Sequence, residues 1–306
     1  MRKYMKRAPL STVYKIIRKD LKVNGKRAKN ETVLADGDEI SLYISDEQMS
    51  EFTKPVKRKA ARRNFKIAYE DEKVLIVEKP WGLLTHGDSH EKKNTLMNQV
   101  CGYLQEKGEY DPSVEKTFTP SPVNRLDRNT TGLVIFGKTA ESLRKLTRLI
   151  RERKSISKYY LTIVCGDFRE EMHIEESLSK DSETNTVSAD KEGKYSNTVV
   201  RPVFSSGRYS LVEVELLTGR THQIRAHLSS AGYPLAGDAK YGDYKVNRRL
   251  KEYGLSTQLL HAYRLTFEDM PEGLEALNGM DIRIPVPEAF GRIGKKLLGK
   301  GIGDSV

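Results

Sequence analysis

One carboxylate stands between two arginines in the stretch Val123-Asn124-Arg125-Leu126-Asp127-Arg128-Asn129-Thr130-Thr131-Gly132-Leu133-Val134-Ile135-Phe136. Cations this close favour the ionised form of the Asp127 carboxylate. An ionised aspartate is what covalent or electrostatic catalysis at a sugar carbon requires. Taken by itself, an Arg-Leu-Asp-Arg loop is more often a surface ion-pair cluster. A second segment, Leu217 to Leu228, gathers Arg220, His222, Gln223, Arg225 and His227 around a strand-to-helix junction. Such a junction offers backbone N–H groups and a positive dipole end, which suit a phosphate. His222 and His227 are five residues apart and do not share a helical face, so a zinc site is not expected.

The elements that must carry these residues are legible as patterns. Leu133 to Phe136 is an apolar strand directly behind the Asp127 loop, and Val74 to Val77 is a second short buried run. Residues 141–152 place Leu143, Leu146, Leu149 and Ile150 on one helical face, with Arg144, Lys145, Arg148 and Arg151 on much of the rest. Tyr159 to Val164 is β-rich, and in Tyr209 to Leu217 apolar Val212, Val214 and Leu216 alternate with Glu213 and Glu215. Thr221 to Ala231 predicts a short helix stopped by Gly232. Strands and helices mix without a βαβ repeat, so the fold class is α+β.

Residues 1–45 have a different character. Ser11 is placed to cap a helix running to Asp20, with Val13, Ile16 and Ile17 on one face and Lys15, Arg18, Lys19 and Lys22 on another. Asn24-Gly25 suits a type I′ hairpin turn, Asp36-Gly37 marks a second turn, and Glu39 to Ile44 alternates like a strand. Residues 46–63 read as a polar, then basic linker, and residues 291–306, with Gly299, Gly301 and Gly303, as a flexible tail.

Charge narrows the class of partner. Lys and Arg number 53 against 42 acidic residues, a net charge of +11 and a pI near 9.4. That balance favours RNA, DNA or an anionic membrane surface, and charge alone does not choose among them. No apolar run approaches the length of a bilayer span, and no motif supports a DNA- or membrane-surface binder, so no membrane partner is expected. Two cysteines without motif spacing argue against a disulfide framework and for a reducing cytoplasm. Nothing predicts a cofactor or a metal.

Two resemblances follow from these residues. The stretch from Leu10 to Ile44, with its IRK, KVNGK and GDEI passages, resembles an S4 RNA-binding domain, with the family's first helix reduced to residues 1–8. The two chemical segments resemble the RluA family of pseudouridine synthases. That family's signature around its catalytic Asp, His-Arg-Leu-Asp-x-x-Thr-Ser-Gly, stands here as residues 124–132, with Asn124 for His and Thr131 for Ser. Its later signature, Gly-Arg-Thr-His-Gln-Ile-Arg-x-His, stands as residues 219–227. Lys79-Pro80 with Gly82, Lys158-x-Tyr160 and Leu260-His261-Ala262 match in order, from about residue 65 to 267.

The resemblance implies a mixed, largely antiparallel catalytic domain over residues 64–290 with a central cleft. It also implies isomerisation of uridine to pseudouridine in structured RNA. Asp127 becomes the essential carboxylate, attacking the ribose or the base or shuttling a proton, Arg225 its partner, and Tyr160 the ring that stacks on uracil and assists proton removal from its carbon 5. Arg125, Arg220 and His222 become RNA contacts. Lys15, Arg18, Lys19, Lys22, Lys26 and Arg27 become the phosphate-holding face of the S4-like module. The RluC-like branch leads to large-subunit ribosomal RNA as the expected substrate, met by a monomer. The alternatives are a synthase acting on tRNA and a non-catalytic, ribosome-associated RNA binder. Asn124 leaves two readings open: loop positioning, or an altered RNA contact.

Overall fold

The computed structural model describes residues 1–302 except 2, 3, 6, 54–61, 116, 182, 183 and 185. They divide into two units, one of residues 1–60 with 104–119, the other of 61–103 with 120–306.

The first unit opens with α1 (Leu10–Lys19), which buries Val13 and Ile16 and leaves Lys15, Arg18 and Lys19 exposed. Pro9, not Ser11, sits at its N-cap, because proline's fixed φ already starts the helix. Three short strands follow, β1 (Leu21–Val23), β2 (Lys26–Arg27) and β3 (Ile40–Leu42), paired antiparallel in the order β2-β1-β3. Asn24 and Gly25 both take positive φ in the β1–β2 turn, as a type I′ hairpin demands. Lys26 and Arg27 point to solvent and Lys22 is half-buried. The first half of the expected linker is instead α2 (Asp46–Thr53). Ser45 accepts from the Gln48 N–H, and Asp46 and Glu47 lie in the first turn, a pairing that favours a helix start. The basic cluster of the expected linker, from Lys54 to Ala61, lies outside the described residues.

The second unit is built on one eleven-stranded sheet. Its strands are β4 (Lys66–Glu70), β5 (Val74–Lys79), β6 (Ser121–Pro122), β7 (Thr131–Gly137), β8 (Ile156–Cys165), β9 (Met172–Lys180), β10 (Val187–Ala189), β11 (Lys194–Ser205), β12 (Tyr209–Leu216), β13 (Leu260–Phe267) and β14 (Asp281–Arg283). The main path runs β10-β9-β11-β12-β8-β13-β7-β5-β4. Every pairing is antiparallel except β13 with β7. The mixed, largely antiparallel sheet is the expected one.

Helices cover the sheet by burying apolar stripes. α3 (Leu96–Glu106) buries Leu96, Val100 and Leu104. α4 (Ala140–Glu152) starts on a capping box between Thr139 and Ser142 and puts Leu146 and Leu149 into the core with Val74, Ile76, Leu133 and Ile135. On its outer face, Lys145 is tied to Glu141 and Arg148 to Glu152, while Arg144 and Arg151 are exposed. The chain continues through α5 (Gln223–Ser230) and α6 (Tyr244–Leu250).

The expected flexible tail is corrected by α7 (Glu288–Leu298). Phe290, Ile293, Leu297 and Leu298 of this helix, with Ile302 beyond it, are buried in the core with Leu161, Ile163 and Leu211. Gly299 is the left-handed cap that ends the helix rather than a sign of disorder. Gly303 lies outside the described residues.

The central strands meet where β7 runs parallel to β13. Thr131 and Gly132 face His261 and Ala262 there. Gly132 has φ +119°, and an added Cβ would stand 2.6 Å from the Ala262 nitrogen and 2.7 Å from its carbonyl carbon. Both groups are backbone and cannot swing aside. Gly132→Ala is therefore expected to cost on the order of 4 kcal/mol of stability. Thermal melting checks this, and a melting temperature unchanged within error would contradict it.

Candidate active site

A cleft opens in the second unit at the end of the β7–β13 pair. Arg125, Asp127, Tyr160, Arg220, His222 and Arg225 all line it, with apolar Leu126, Leu216, Ile224 and Leu260. Residues from four separate stretches of the chain are thus brought together. The basic residues from Lys15 to Arg27 belong to the first unit.

Asp127 sits in the loop that feeds β7. Its backbone carbonyl accepts from the Thr130 N–H, a tight turn that raises the side chain toward the cleft. The side chain is 27% exposed, and its Oδ2 accepts from Arg225 Nη1 at 2.9 Å. Among the described residues no hydrogen bond is made to Oδ1. One oxygen is held and the other is free to meet a substrate.

Arg225 is held from behind. Its Nε and Nη2 donate in a fork to Asp238 Oδ2 and Oδ1, at 2.7 and 2.8 Å. Asp238 is fully buried, and its Oδ1 also accepts from the Lys240 and Tyr241 N–H groups. The guanidinium carbon lies 5.0 Å from the centre of the Tyr241 ring. Burial opposes the charge on Arg225, but the bonds and charges of Asp238 and then Asp127 outweigh it and raise its pKa. Burial likewise opposes the charge on Asp238, and the Arg225 bond overcomes it and lowers the pKa of that carboxyl. A fork of this kind fixes orientation as well as charge. Asp238 carries no role in the sequence motifs. Its signal is complete burial, which no local pattern reveals.

Arg128, expected beside Asp127, turns away and pairs with exposed Asp88 at 3.0 Å. The cation that serves Asp127 comes from α5, 98 residues later. Arg125 is exposed at the mouth of the cleft and makes no ion pair among the described residues.

Tyr160 lies on β8 and is 4% exposed, and its hydroxyl has no hydrogen-bond partner among the described residues. Burial, and after it the Asp127 carboxylate, pushes its pKa far above the usual phenol range. The residue is suited to stacking its ring and donating its hydrogen.

His222 takes a left-handed φ of +52° just before α5. Its Nδ1 meets the Tyr241 hydroxyl at 2.9 Å, and its Nε2 stands 3.8 Å from Asp127 Oδ2. Burial is the main reason its pKa lies below the ordinary value, opposed by the nearby Asp127 carboxylate. Gln223 ties the junction. Its Oε1 accepts from the Arg220 N–H and the Thr218 hydroxyl, and its Nε2 donates to the Asn197 carbonyl. The Arg220 guanidinium reaches the Tyr195 carbonyl at 3.3 Å. His227 is buried, with Nδ1 3.0 Å from the Thr198 hydroxyl, and burial pushes its pKa down to about 4.

Three further side chains hold the Asp127 loop. Lys79 is completely buried and its ammonium donates to the carbonyls of Pro80, Leu83 and Arg128 at 3.1, 2.8 and 3.0 Å. Burial brings its pKa down to about 7, partly offset by the Asp127 carboxylate. Thr85 donates to the Leu126 carbonyl and accepts from the Leu126 N–H. Asn124 donates to the Leu133 carbonyl and accepts from the Ile135 N–H. These bonds favour the positioning reading of Asn124. Both ends of the amide are used on backbone, and neither needs a group that titrates.

An aimed carboxylate beside a buried aromatic ring, with unneutralised cations at the mouth, can receive one nucleoside flipped from a polyanion. The chain belongs to the RNA pseudouridylate synthase family, whose model matches residues 73–230. It is thus a pseudouridine synthase, an isomerase. Among its relatives, the ribosomal large subunit pseudouridine synthase C of Escherichia coli (strain K12) is 34% identical over 97% of this chain and 91% of that protein. The synthase of the same name from Vibrio vulnificus (strain CMCP6) is 32% identical over 87% and 82%. The fold is shared with human RNA pseudouridylate synthase domain containing 4, at TM-score 0.58 and 22% identity over 76% of this chain and 92% of that one.

Proposed function

We propose that this chain converts uridines of large-subunit ribosomal RNA to pseudouridine, in the cytoplasm and as a monomer, with Asp127 as the catalytic carboxylate. The observation that carries the reading is the convergence of Asp127, Arg225 and Tyr160 in one cleft, with one carboxylate oxygen bound and the other open. The reaction breaks the bond from ribose C1′ to uracil N1 and joins C1′ to C5. The C5 proton leaves and N1 gains one, so no redox partner is needed. Arg225 aims the carboxylate, and Tyr160 stacks on the uracil. Extruding the uridine costs a few kcal/mol, and stacking returns about 1–3 kcal/mol. Phosphate contacts supply the rest.

Arg125, Arg220 and His222 are placed to meet the RNA around the extruded nucleoside. The first unit is read as the S4-like holding module. Support comes from Lys15, Arg18, Lys19, Lys26 and Arg27, all exposed on one helix and one hairpin. The choice of ribosomal RNA follows the names of the relatives, which cover most of the chain. Its test is a set of transcribed large-subunit RNA, small-subunit RNA and tRNA, each incubated with the protein and mapped for pseudouridine. Discrete sites in the large-subunit RNA are expected. Modification confined to tRNA would overturn the choice.

A further inference from the structure

We propose that Trp81 is a stacking platform for an unpaired nucleobase adjacent to the extruded uridine. The inference rests on the reading of the cleft as an RNA-uridine isomerase site and adds a second base subsite to it.

Trp81 is the only tryptophan in the chain and is 59% exposed. Its ring is among the most favourable groups to bury, so a flat partner laid on it would be held. Its one polar atom is already used. Nε1 donates to the Thr257 hydroxyl at 3.0 Å, so what remains open to solvent is apolar ring surface. The ring is also fixed. Pro80 restricts the backbone ahead of it, and Gly82 takes the left-handed φ of +78° behind it, which makes a tight turn.

The turn is fastened to both halves of the site. The Lys79 ammonium binds the Pro80 carbonyl and the Arg128 carbonyl at once, so the Trp81 turn and the Asp127 loop lie within two hydrogen-bond lengths of each other. On the other side, the Thr257 carbonyl lies so close to Gly237 that no side chain would fit there, and Gly237 precedes Asp238, the anchor of Arg225. Thr257 itself leads into Leu260 of the cleft wall. A rigid aromatic plane thus follows directly on the Pro80 carbonyl that Lys79 ties to the Asp127 loop, a loop whose Arg125 and Arg128 are exposed.

The fitting ligand is a base with an open π-face, flanked by phosphates. Every base has such a face, and a stack on tryptophan is tolerant of sequence. A base inside a duplex keeps its faces covered, so the subsite selects uridines next to unpaired or splayed neighbours.

Because the chain has one tryptophan, its fluorescence reads this subsite directly. The probes are single-stranded decauridylate and a ten-base-pair RNA duplex, titrated into the Asp127→Asn protein. Decauridylate is expected to quench the emission by more than half, and the duplex by far less. On transcribed large-subunit RNA, Trp81→Ala is expected to raise KM about ten-fold with a smaller change in kcat, and Trp81→Phe to recover most of the loss. Circular dichroism matching the wild type excludes misfolding of the Ala variant. Equal quenching by both probes, or a KM for Trp81→Ala within two-fold of wild type while the wild type turns over, would overturn the subsite alone. A wild-type protein that forms no pseudouridine would overturn the function and the subsite with it.

Discussion

Asp127→Asn is expected to lower pseudouridine formation at least ~1,000-fold while RNA affinity stays within a few-fold of wild type. The amide is nearly the same size as the carboxylate. It can still accept from Arg225, so the loop held by Lys79, Thr85 and Asn124 keeps its shape. What is lost is the negative charge and the nucleophilic or basic oxygen at the free Oδ1 position. The exposed cations that can meet phosphate, Arg125 among them, are untouched by the change, and such contacts dominate affinity. Nucleoside analysis of RNA after single-turnover incubation measures the first quantity, and a filter-binding titration at fixed salt measures the second. Asn-variant turnover close to wild type would remove Asp127 from the chemistry.

Arg225→Met should fail in two separable ways. The methionine fills much of the volume but leaves Asp238 a buried, unpaired carboxylate, a loss of about 3–5 kcal/mol. It also releases Asp127 from the only side chain among the described residues that donates to it at hydrogen-bond distance. The double variant Arg225→Met with Asp238→Asn removes the stranded charge. The amide oxygen can still accept from the Lys240 and Tyr241 N–H groups. Urea unfolding is expected to show most of the stability regained in the double variant, while pseudouridine formation stays at the level of the single one. Recovery of activity along with stability would mean that Arg225 only supports the fold. No loss of stability in the single variant would contradict the buried fork.

The same residues show what a sequence can and cannot reveal here. Asp127, Tyr160 and Arg225 were legible because each sits in a contiguous motif, and several motifs in order carry more information than any local charge pattern. The local pattern pointed to the wrong arginine. Arg125 and Arg128 flank Asp127 in the chain, yet Arg128 turns to Asp88, and Asp127 is served by a residue 98 positions later. Adjacent side chains in a loop diverge, and only the sheet's topology brings α5 to the β7 loop. Asp238 was invisible as an anchor because its importance lies in its burial. The strands at 74–79, 131–137 and 209–216 followed from apolar runs and alternation. The C-terminal helix did not. The three glycines after it, Gly299, Gly301 and Gly303, outweighed the spacing of Phe290, Ile293 and Leu297, which marks a buried face once seen. The helix at 46–53 was masked in the same way by its polarity, since none of its residues is buried.

The most direct measurement follows the hydrogen that the reaction must expel. Joining C5 to the ribose displaces the C5 proton, so RNA carrying tritium at uracil C5 releases one tritium to water for each pseudouridine formed. The wild-type protein is expected to release tritium from transcribed large-subunit ribosomal RNA, in step with pseudouridine appearing in the same sample. RNA that binds the protein tightly and keeps all of its tritium would contradict the account.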